Sequence, residues 1–444
     1  AEPFCALAEA LISSSACEGV EIFLQPDMRH LASPPCSAGS HKLKVHEWPF
    51  TQADFYQFVA NPSHGADSPN PRIRFVGIVA DVIGELVLPC LDAVQEVAAK
   101  STVIVTSSIA RPLALALCQK FNLPCYAVFL QPIAPTTLFP HYSLTEECVK
   151  VILDLKANGE QQELLNGSAV ESKENGEAFL RSYFDLEKAQ HDFLCKRLEP
   201  IYKRLDIPSI EFEASLWESL QGQSENVFIV NAFSSQVIPG PEYTSSLSNK
   251  NVMNVGALAD SLIPKDWTPP DSLSKFLGEK DKKPPVCVGF GSMPFDMAPM
   301  VVEALCQLEE RAVLVGDAFK DVANHSDWAN ENLFFVSSVP YAWLLHRCSM
   351  MVCHGGAGVV HACLRAGIPS IISPLMGDQF FWGDLLQALG LGMRIKSNLT
   401  NLSSDDLKDA ISNARHCIPA AKSMGVSIQN CPSGAETLAE ILVK

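Results

Sequence analysis

The second half of the chain is constrained above all by a regular alternation of short apolar runs with helical segments. The apolar runs lie at 286–290, 312–315, 333–336, 349–353 and 368–372. Helical periodicity fills the gaps, for example at 298–309 and from 357 to 365. Such alternation is typical of a parallel sheet covered by helices, so the sequence predicts a Rossmann-like α/β domain here.

The first half of the chain shows the same alternation less regularly. Its strand-like runs lie at 20–24, 102–105, 125–130, 226–230 and 251–255, and residues 145–222 are mostly helical and amphipathic. From 257 to 284 prolines mix with charged residues, as expected of an interdomain linker. Because 444 residues exceed one ordinary core, we predict two Rossmann-like domains that face each other across a cleft. The domains are residues 1–256 and 285–444, joined by the linker 257–284.

Composition and charge narrow the class of protein. Apolar residues make up 47% of the chain and charged residues 19%, which is typical of a globular protein. Asp and Glu total 50 against 33 Lys and Arg, and this negative balance disfavours nucleic acid as a partner. The 15 cysteines have no paired spacing, which favours a reducing compartment over a disulfide framework or zinc site. No apolar run of membrane-spanning length and no secretory leader are found, so we expect a soluble, cytoplasmic protein.

The strongest motif is the run His-Gly-Gly-Ala-Gly at 354–358, between a buried strand and the start of a helix. Its glycines let the backbone turn tightly and approach a ligand. The unpaired amides and dipole of the helix start form an anion site, for which a diphosphate is the expected ligand and His354 an added donor. The alternative is a tight strand-to-helix turn with a capping histidine.

Two further loops follow strands of the same sheet. Asp378 and Gln379 come shortly after the strand that ends near residue 373, and their carboxylate and amide suit vicinal sugar hydroxyls. The alternative for Asp378 is an ordinary helix N-cap. The loop 289–293 follows the first strand and brings Gly291 and Ser292. Because ligands collect at the carboxyl ends of parallel strands, three loops at one edge predict binding of a nucleotide sugar.

The stretch HGGAGVVHACLRAGIPSIISPLMGDQFFWGDLLQALGLG, at 354–392, resembles the UDP-sugar glycosyltransferases of the GT-B fold. It is most similar to their sterol 3β-glucosyltransferase branch, with HHGGAGTT, LRAGIP and GDQ.FW at corresponding places. The runs at 288–293 and 339–344 also match that branch, and residues 131–140 are similar to its QP, PT and FP segment. The resemblance covers nearly the whole chain, strongly after residue 284 and thinly before it.

The resemblance implies a UDP-hexose site in the C-terminal domain. The residues implied at the diphosphate are Gly291, Ser292, His354, Gly356, Ala357, Gly358 and the amide of Val359. Asp378 and Gln379 would hold the glucose hydroxyls, and Ser338, Val339 and Trp343 would border the uracil; Trp343 could equally be a core residue of a short helix.

The reaction implied is inverting transfer of glucose, or another hexose, from UDP-glucose to a hydroxyl of a sterol or other lipophilic small molecule. Neither a metal nor a cofactor is implied, and the chain has no Asp-x-Asp donor motif. The N-terminal domain would bind the acceptor, and a peripheral membrane contact is left open.

Two departures from the family pattern bear on activity. Val359 and Val360 stand where the family has Thr-Thr, so one or two hydroxyl contacts to phosphate are lost, each worth about 1–3 kcal/mol. The family Asp that would deprotonate the acceptor, with the first strand of its domain, would precede residue 1, so no catalytic base is assigned. Glu2 is a weak substitute, and His141 and His361 are expected to be ordinary surface or helix residues. The alternatives are a catalytically degenerate nucleotide-sugar-binding protein and, by analogy alone, a UDP-sugar epimerase or hydrolase.

Overall fold

The computed structural model describes most of the chain. The described residues are 2–32, 42–51, 54–55, 57–58, 61, 77–78, 81–108, 110–136, 138–157, 173–209, 217–218, 224–238, 251–258, 263, 267–279, 282–291, 297–320, 327–397 and 399–444.

The strands and helices follow each other in the alternation that the sequence predicts. The strands are β1 Val20–Leu24, β2 Leu43–Glu47, β3 Ile104–Ser107, β4 Cys125–Phe129, β5 Val227–Asn231, β6 Val252–Asn254, β7 Val286–Gly289, β8 Ala312–Val315, β9 Leu333–Val336, β10 Met350–Cys353, β11 Ser370–Ile372 and β12 Gly392–Arg394. The α-helices are α1 Glu2–Ser13, α2 Leu91–Ala98, α3 Arg111–Phe121, α4 Thr145–Ala157, α5 Lys173–Leu205, α6 Asp271–Leu277, α7 Ala298–Gln307, α8 Asp327–Asn332, α9 Tyr341–Leu344, α10 Ala357–Ala366, α11 Gln379–Ala388, α12 Ser404–Ala414, α13 Ile418–Gln429 and α14 Gly434–Leu442.

The chain divides into two compact units. The N-terminal unit comprises Gly19–Arg29 and Lys44–Gly256, and the C-terminal unit comprises Ala1–Glu18, His30–Leu43 and Ala257–Lys444. These bounds differ from the predicted domains in three places, at 1–18, 30–43 and 257–284. Helix α1 belongs with the C-terminal residues because it packs against α14.

The segment predicted as a linker is also part of the C-terminal unit. Its helix α6 buries Leu273 completely and Phe276 almost completely. Arg311, which is 7% exposed, donates hydrogen bonds to the carbonyl oxygens of Phe276 and Lys283 at 2.7 and 3.2 Å. The prolines and charges of this segment therefore surround an apolar anchor that the sequence pattern did not reveal.

The N-terminal unit is built on a parallel four-stranded sheet in the order β3-β4-β5-β6, and β1 and β2 form a separate two-stranded sheet. Helices α2, α3 and α5 cover an apolar core that includes Leu91, Leu117 and Leu198. Two helices, α4 and α5, occupy most of the described part of the predicted helical segment 145–222.

The C-terminal unit contains a parallel six-stranded sheet in the order β12-β11-β10-β7-β8-β9. Every residue of β7, β8, β10 and β11 is buried, as expected of a parallel sheet with helices on both faces. Strands β7, β8 and β9 progress in one direction across the sheet, whereas β10 returns to the other side of β7. The topological switch point, where open α/β sheets bind ligands, therefore lies between β7 and β10.

Two strands are not predicted by the sequence. Strand β2 alternates apolar and charged residues instead of forming an apolar run, and β12 has only three residues, one of them Arg394. A side chain at Gly392 would collide with the carbonyl of Ser370 on the neighbouring strand. Strand β12 therefore depends on close backbone pairing with β11, which the residue types alone do not indicate. Among the described residues, no helix has both the length and the apolarity needed to cross a membrane.

Candidate functional site

Three loops of the C-terminal unit converge at the switch point. They follow β7, β10 and β11, which are neighbours in the sheet, and Val288 pairs with Val352 while Val352 pairs with Ile371. Two measurements show that the loops touch. A Cβ added to Gly291 would lie 3.7 Å from His354 Cε1, and one added to Gly355 would lie 3.5 Å from the carbonyl oxygen of Gln379. The expected convergence of the three loops is therefore found in the structure.

The turn after β10 has room for glycine alone at two positions. Gly355 has φ of +87°, and a Cβ there would lie 2.5 Å from Ile372 Cγ2. Gly356 has an ordinary φ of −60°, but its Cβ would lie 2.7 Å from His354 Nε2. The backbone therefore wraps closely around the imidazole and presses against β11, as the glycine-rich sequence predicts.

His354 is largely buried and neutral. Burial lowers the pKa of its imidazole to about 4, so the ring carries no charge at pH 7. Its Nδ1 is buried and makes no hydrogen bond with the described residues. A neutral imidazole has one N–H donor and one acceptor, so His354 can offer a ligand one hydrogen bond but no positive charge.

Helix α10 begins at this turn without a side-chain cap. Its N-cap residue is Gly356, and the first amides of the helix, from Ala357 to Val359, have no partner within the helix. Helix α12 of the same unit shows the contrast, because Ser403 and Asp406 form a reciprocal capping box there. Amides without a partner in the helix, together with the positive end of the helix dipole, are the features that an anion site at a helix start requires.

Val359 and Val360, which replace the hydroxyl residues of the resembling family, point into the core. They are 8% and 0% exposed. The backbone amide of Val359 remains at the helix start, whereas both methyl-bearing side chains contribute apolar packing beneath it.

Asp378 occupies the N-cap position of α11 but its side chain does not cap the helix. Its Oδ2 accepts a hydrogen bond from Trp382 Nε1 at 3.2 Å instead. Burial raises the pKa of the Asp378 carboxyl to about 6, and the bond from Trp382 opposes this shift. The simple N-cap alternative is therefore not what this carboxylate does.

Gln379 is 7% exposed and folds back onto its own loop. Its Oε1 accepts hydrogen bonds from the amides of Leu375 and Met376 at 2.7 and 3.0 Å. The sequence predicts a side chain that both donates to and accepts from a sugar. The oxygen is already used, and only Nε2, which donates to no described residue, is available for a ligand.

The residues expected at the nucleoside base follow β9. Ser338 is exposed and Val339 is 7% exposed. The ring of Trp343 meets Trp267 edge to face at 5.1 Å and lies 4.2 Å from the Arg347 guanidinium. Trp343 therefore packs within its own unit. Ser292, the remaining predicted residue, lies outside the described residues.

Tyr341 is a residue of this region that sequence reasoning missed. A Cβ on Gly289, at the end of β7, would collide with the Tyr341 hydroxyl, so this hydroxyl lies directly over the backbone at the switch point. The only sign of this role in the sequence is that Tyr341 lies two residues after Val339, which is predicted to border the base. Strands β8 and β9 separate Gly289 from Tyr341 along the chain, so the sequence does not predict their contact.

The N-terminal unit buries a charged cluster around His141, which the sequence predicts to be an ordinary surface or helix residue. His141 is not a surface residue: it is 0% exposed, because Tyr142 and Tyr183 pack on its ring. Its Nδ1 accepts from the amide of Ser143, and its Nε2 donates to Glu187 Oε1 at 3.2 Å.

Glu187 is fully buried and also accepts from Arg111 Nη2 at 3.2 Å. These partners keep the pKa of Glu187 below its usual value despite burial. His361, by contrast, is a helix residue as expected; it is 4% exposed, and its Nδ1 donates to the carbonyl of Ala357 at 2.8 Å. Neither histidine is a free base.

Comparison with known proteins bears first on the C-terminal unit. Residues 301–435 match the family described as the erythromycin biosynthesis protein CIII-like C-terminal domain. A sterol 3-beta-glucosyltransferase from Arabidopsis thaliana, UGT80B1, is 42% identical over 113 residues, which are 24% of this chain and 18% of the relative. The corresponding enzyme of Penicillium rubens is 32% identical over 176 residues, which are 37% of this chain and 13% of that enzyme. The matched region thus spans less than a fifth of the length of either relative.

Solved structures match the whole chain at low sequence identity. The spinosyn rhamnosyltransferase SpnG has a TM-score of 0.60 and 15% identity, covering 99% of this chain and 96% of its own. Arabidopsis thaliana UGT89C1, complexed with UDP, has a TM-score of 0.55 and 15% identity, covering 99% and 95%. These neighbours establish the α/β fold that the resemblance implied. The chain has the GT-B fold, and part of its sequence is similar to sterol 3-beta-glucosyltransferases.

Proposed function

We propose that the protein is a glycosyltransferase that takes a hexose, with glucose as the first candidate, from a UDP-sugar to a hydroxyl of a sterol or another lipophilic small molecule. The observation that carries this proposal is the meeting of an uncapped helix N-terminus, the neutral His354 and the Asp378–Gln379 loop at one switch point. The anion site suits a diphosphate, and the neighbouring carboxylate and amide suit sugar hydroxyls.

The chemistry would be an in-line displacement with inversion. The acceptor oxygen forms a bond to the anomeric carbon while the bond from that carbon to the diphosphate oxygen breaks. The acceptor hydroxyl loses its proton to a base, and the buried His141 and His361, both hydrogen-bonded, are not assigned that role. Charge develops on the leaving diphosphate, where the amides of Ala357 to Val359 and the His354 ring would stabilise it.

The comparisons support a nucleoside diphosphate in the donor but do not distinguish uridine from thymidine. UGT89C1 is complexed with UDP, whereas the Streptomyces glycosyltransferase SsfS6, with a TM-score of 0.59 and 13% identity over 99% of this chain and 95% of its own, is complexed with thymidine diphosphate. We propose uridine as the base because the sequence resembles the UDP-sugar glycosyltransferases and is similar to two sterol glucosyltransferases.

The lipophilic acceptor is assigned to the N-terminal unit. Phe184 and Trp217 are partly buried there and meet edge to face at 5.0 Å, packed against a cluster that includes Phe129 and Ile133. Aromatic and aliphatic groups of this kind suit a sterol or similar ring system. The names of the two sterol glucosyltransferases support the same class of acceptor.

The test is a calorimetric titration of UDP and UDP-glucose into wild type and Asp378→Ala, followed by an assay of UDP release with a panel of sterols. We expect wild type to prefer UDP-glucose to UDP, and the variant to keep UDP binding while losing that preference. UDP release that depends on a sterol would support the transferase. Binding without turnover would favour the catalytically degenerate binder, and no binding of either ligand at millimolar concentration would refute the donor site.

A further inference from the structure

We propose that Trp382 is a positioning residue that holds the Asp378 carboxylate toward the donor hexose, and that His361 fixes Trp382 and so links the sugar residue to the diphosphate turn. This inference rests on the proposed function, because it assigns Asp378 to the sugar. It goes beyond it by naming two residues that touch neither substrate.

The first step is the hydrogen bond between the indole and the carboxylate. Trp382 Nε1 donates to Asp378 Oδ2 at 3.2 Å, and the Trp382 amide donates to the Asp378 carbonyl at 3.0 Å. Trp382 is completely buried, so its ring has a single orientation and its N–H direction is fixed by packing. One oxygen of the carboxylate is thereby anchored, and the lone pairs that remain on the carboxylate can accept hydrogen bonds from a ligand.

The bond from the indole stands in place of the usual helix cap. An aspartate just before a helix ordinarily turns its carboxylate onto the amides of the first helical turn. Asp378 makes no such cap, and its backbone has helical φ and ψ of −71° and −9° instead of the extended conformation of a capping residue. The backbone conformation and the indole N–H together keep the carboxylate off the helix end, and loss of the N–H leaves the carboxylate without the side-chain donor that fixes its direction.

The third step connects the two halves of the donor site. The His361 ring meets the Trp382 ring edge to face, with centroids 4.9 Å apart and an interplanar angle of 81°. His361 Nδ1 in turn donates to the carbonyl of Ala357, the first residue of the helix at the diphosphate turn. A continuous chain of contacts therefore runs from the Ala357 backbone through two buried rings to Asp378.

The acid–base behaviour of Asp378 supplies an independent readout. A carboxylate accepts hydrogen bonds from sugar hydroxyls best when ionised, and burial raises the pKa of Asp378 to about 6. The preference for UDP-glucose over UDP should therefore increase as pH rises through this value. The indole bond favours the ionised form, so its removal should move the midpoint of that increase to higher pH.

The experiment compares wild type with Trp382→Phe, which keeps an aromatic ring in the core but removes the N–H. UDP and UDP-glucose are titrated by calorimetry between pH 5 and 8.5, with the full chain. We expect unchanged affinity for UDP and a higher pH midpoint. The preference for UDP-glucose should fall about tenfold at pH 6.5, because one hydrogen bond to a charged group is lost.

The control is Phe381→Leu, since Phe381 is equally buried and meets Trp382 at 5.3 Å without a hydrogen bond. It should retain the wild-type preference and midpoint. The inference is overturned if Trp382→Phe keeps both, or if Phe381→Leu loses both to the same extent. Failure of wild type to bind UDP or UDP-glucose has a different signature: it refutes the proposed function and removes the sugar role of Asp378 with it.

Discussion

Replacement of Gly355 by alanine should destabilise the protein far more than the loss of one glycine usually does. Two terms add at this position. An alanine at φ of +87° is strained by about 1–2 kcal/mol, and its Cβ would lie 2.5 Å from Ile372 Cγ2. Ile372 is fully buried and β-branched, so this methyl group cannot swing away, and overpacking adds about 1–3 kcal/mol. We expect a total loss of about 2–5 kcal/mol in the free energy of unfolding.

Gly390→Ala provides the matched control. Gly390 also has a positive φ, +67°, but a Cβ there would meet no atom within 4 Å. It should therefore cost only the conformational term of about 1–2 kcal/mol. Urea unfolding of the full chain, followed by circular dichroism, measures both changes.

A double-mutant cycle isolates the steric term. Ile372→Ala removes the obstructing methyl group, so Gly355→Ala made in that background should cost no more than Gly390→Ala. Equal losses for Gly355→Ala in the two backgrounds would refute the reasoning, because they would show that the close approach to Ile372 is relieved by the backbone instead.

Three further changes test other parts of the structure. Glu187→Gln should lower the free energy of unfolding by about 3–5 kcal/mol, because it leaves a buried guanidinium uncompensated, whereas Lys203→Ala in an exposed ion pair should cost under about 1 kcal/mol; urea unfolding compares them. Arg311→Met should cost about 2–4 kcal/mol and expose the 271–277 helix to limited proteolysis, and unchanged cleavage there would contradict its role as an anchor. Burial lowers the pKa of His361 to about 4, so its contribution to stability is complete above about pH 6.5 and is lost as pH falls toward 4; wild type should lose up to about 3 kcal/mol relative to His361→Gln over that range, measured by urea unfolding at each pH.

The sequence predicted the alternating elements well where burial and periodicity agree. Strands β8 and β9 have the predicted bounds, and β7 and β10 differ from them by a single residue, because a parallel strand between helices is apolar throughout. Strand β12 and the anchored helix α6 were missed for the opposite reason. Strand β12 is held by backbone pairing and helix α6 by the buried Arg311. Neither interaction requires an apolar run in the sequence.

The candidate site was predictable in its loops but not in its hydrogen bonds. The glycines and the order of strands were enough to bring His354, Gly291 and Asp378 to one edge. They could not show that Gln379 Oε1 is committed to its own loop, or that Asp378 meets an indole four residues later. Such contacts depend on side-chain rotamers, which a one-dimensional pattern does not contain.

The uncapped start of α10 has a consequence for how the protein answers a ligand. A capping side chain in place of this glycine would add about a few tenths of a kcal/mol, yet the His354 ring leaves no space for one at Gly356. The first turn of the helix is therefore less stable than the same turn would be with a capping side chain. An anion that accepts hydrogen bonds from its amides would act as the missing cap. Amide hydrogens of Ala357 to Val359 should exchange rapidly in the free protein and slowly with a bound nucleotide, so that occupancy of the site is recorded as local folding.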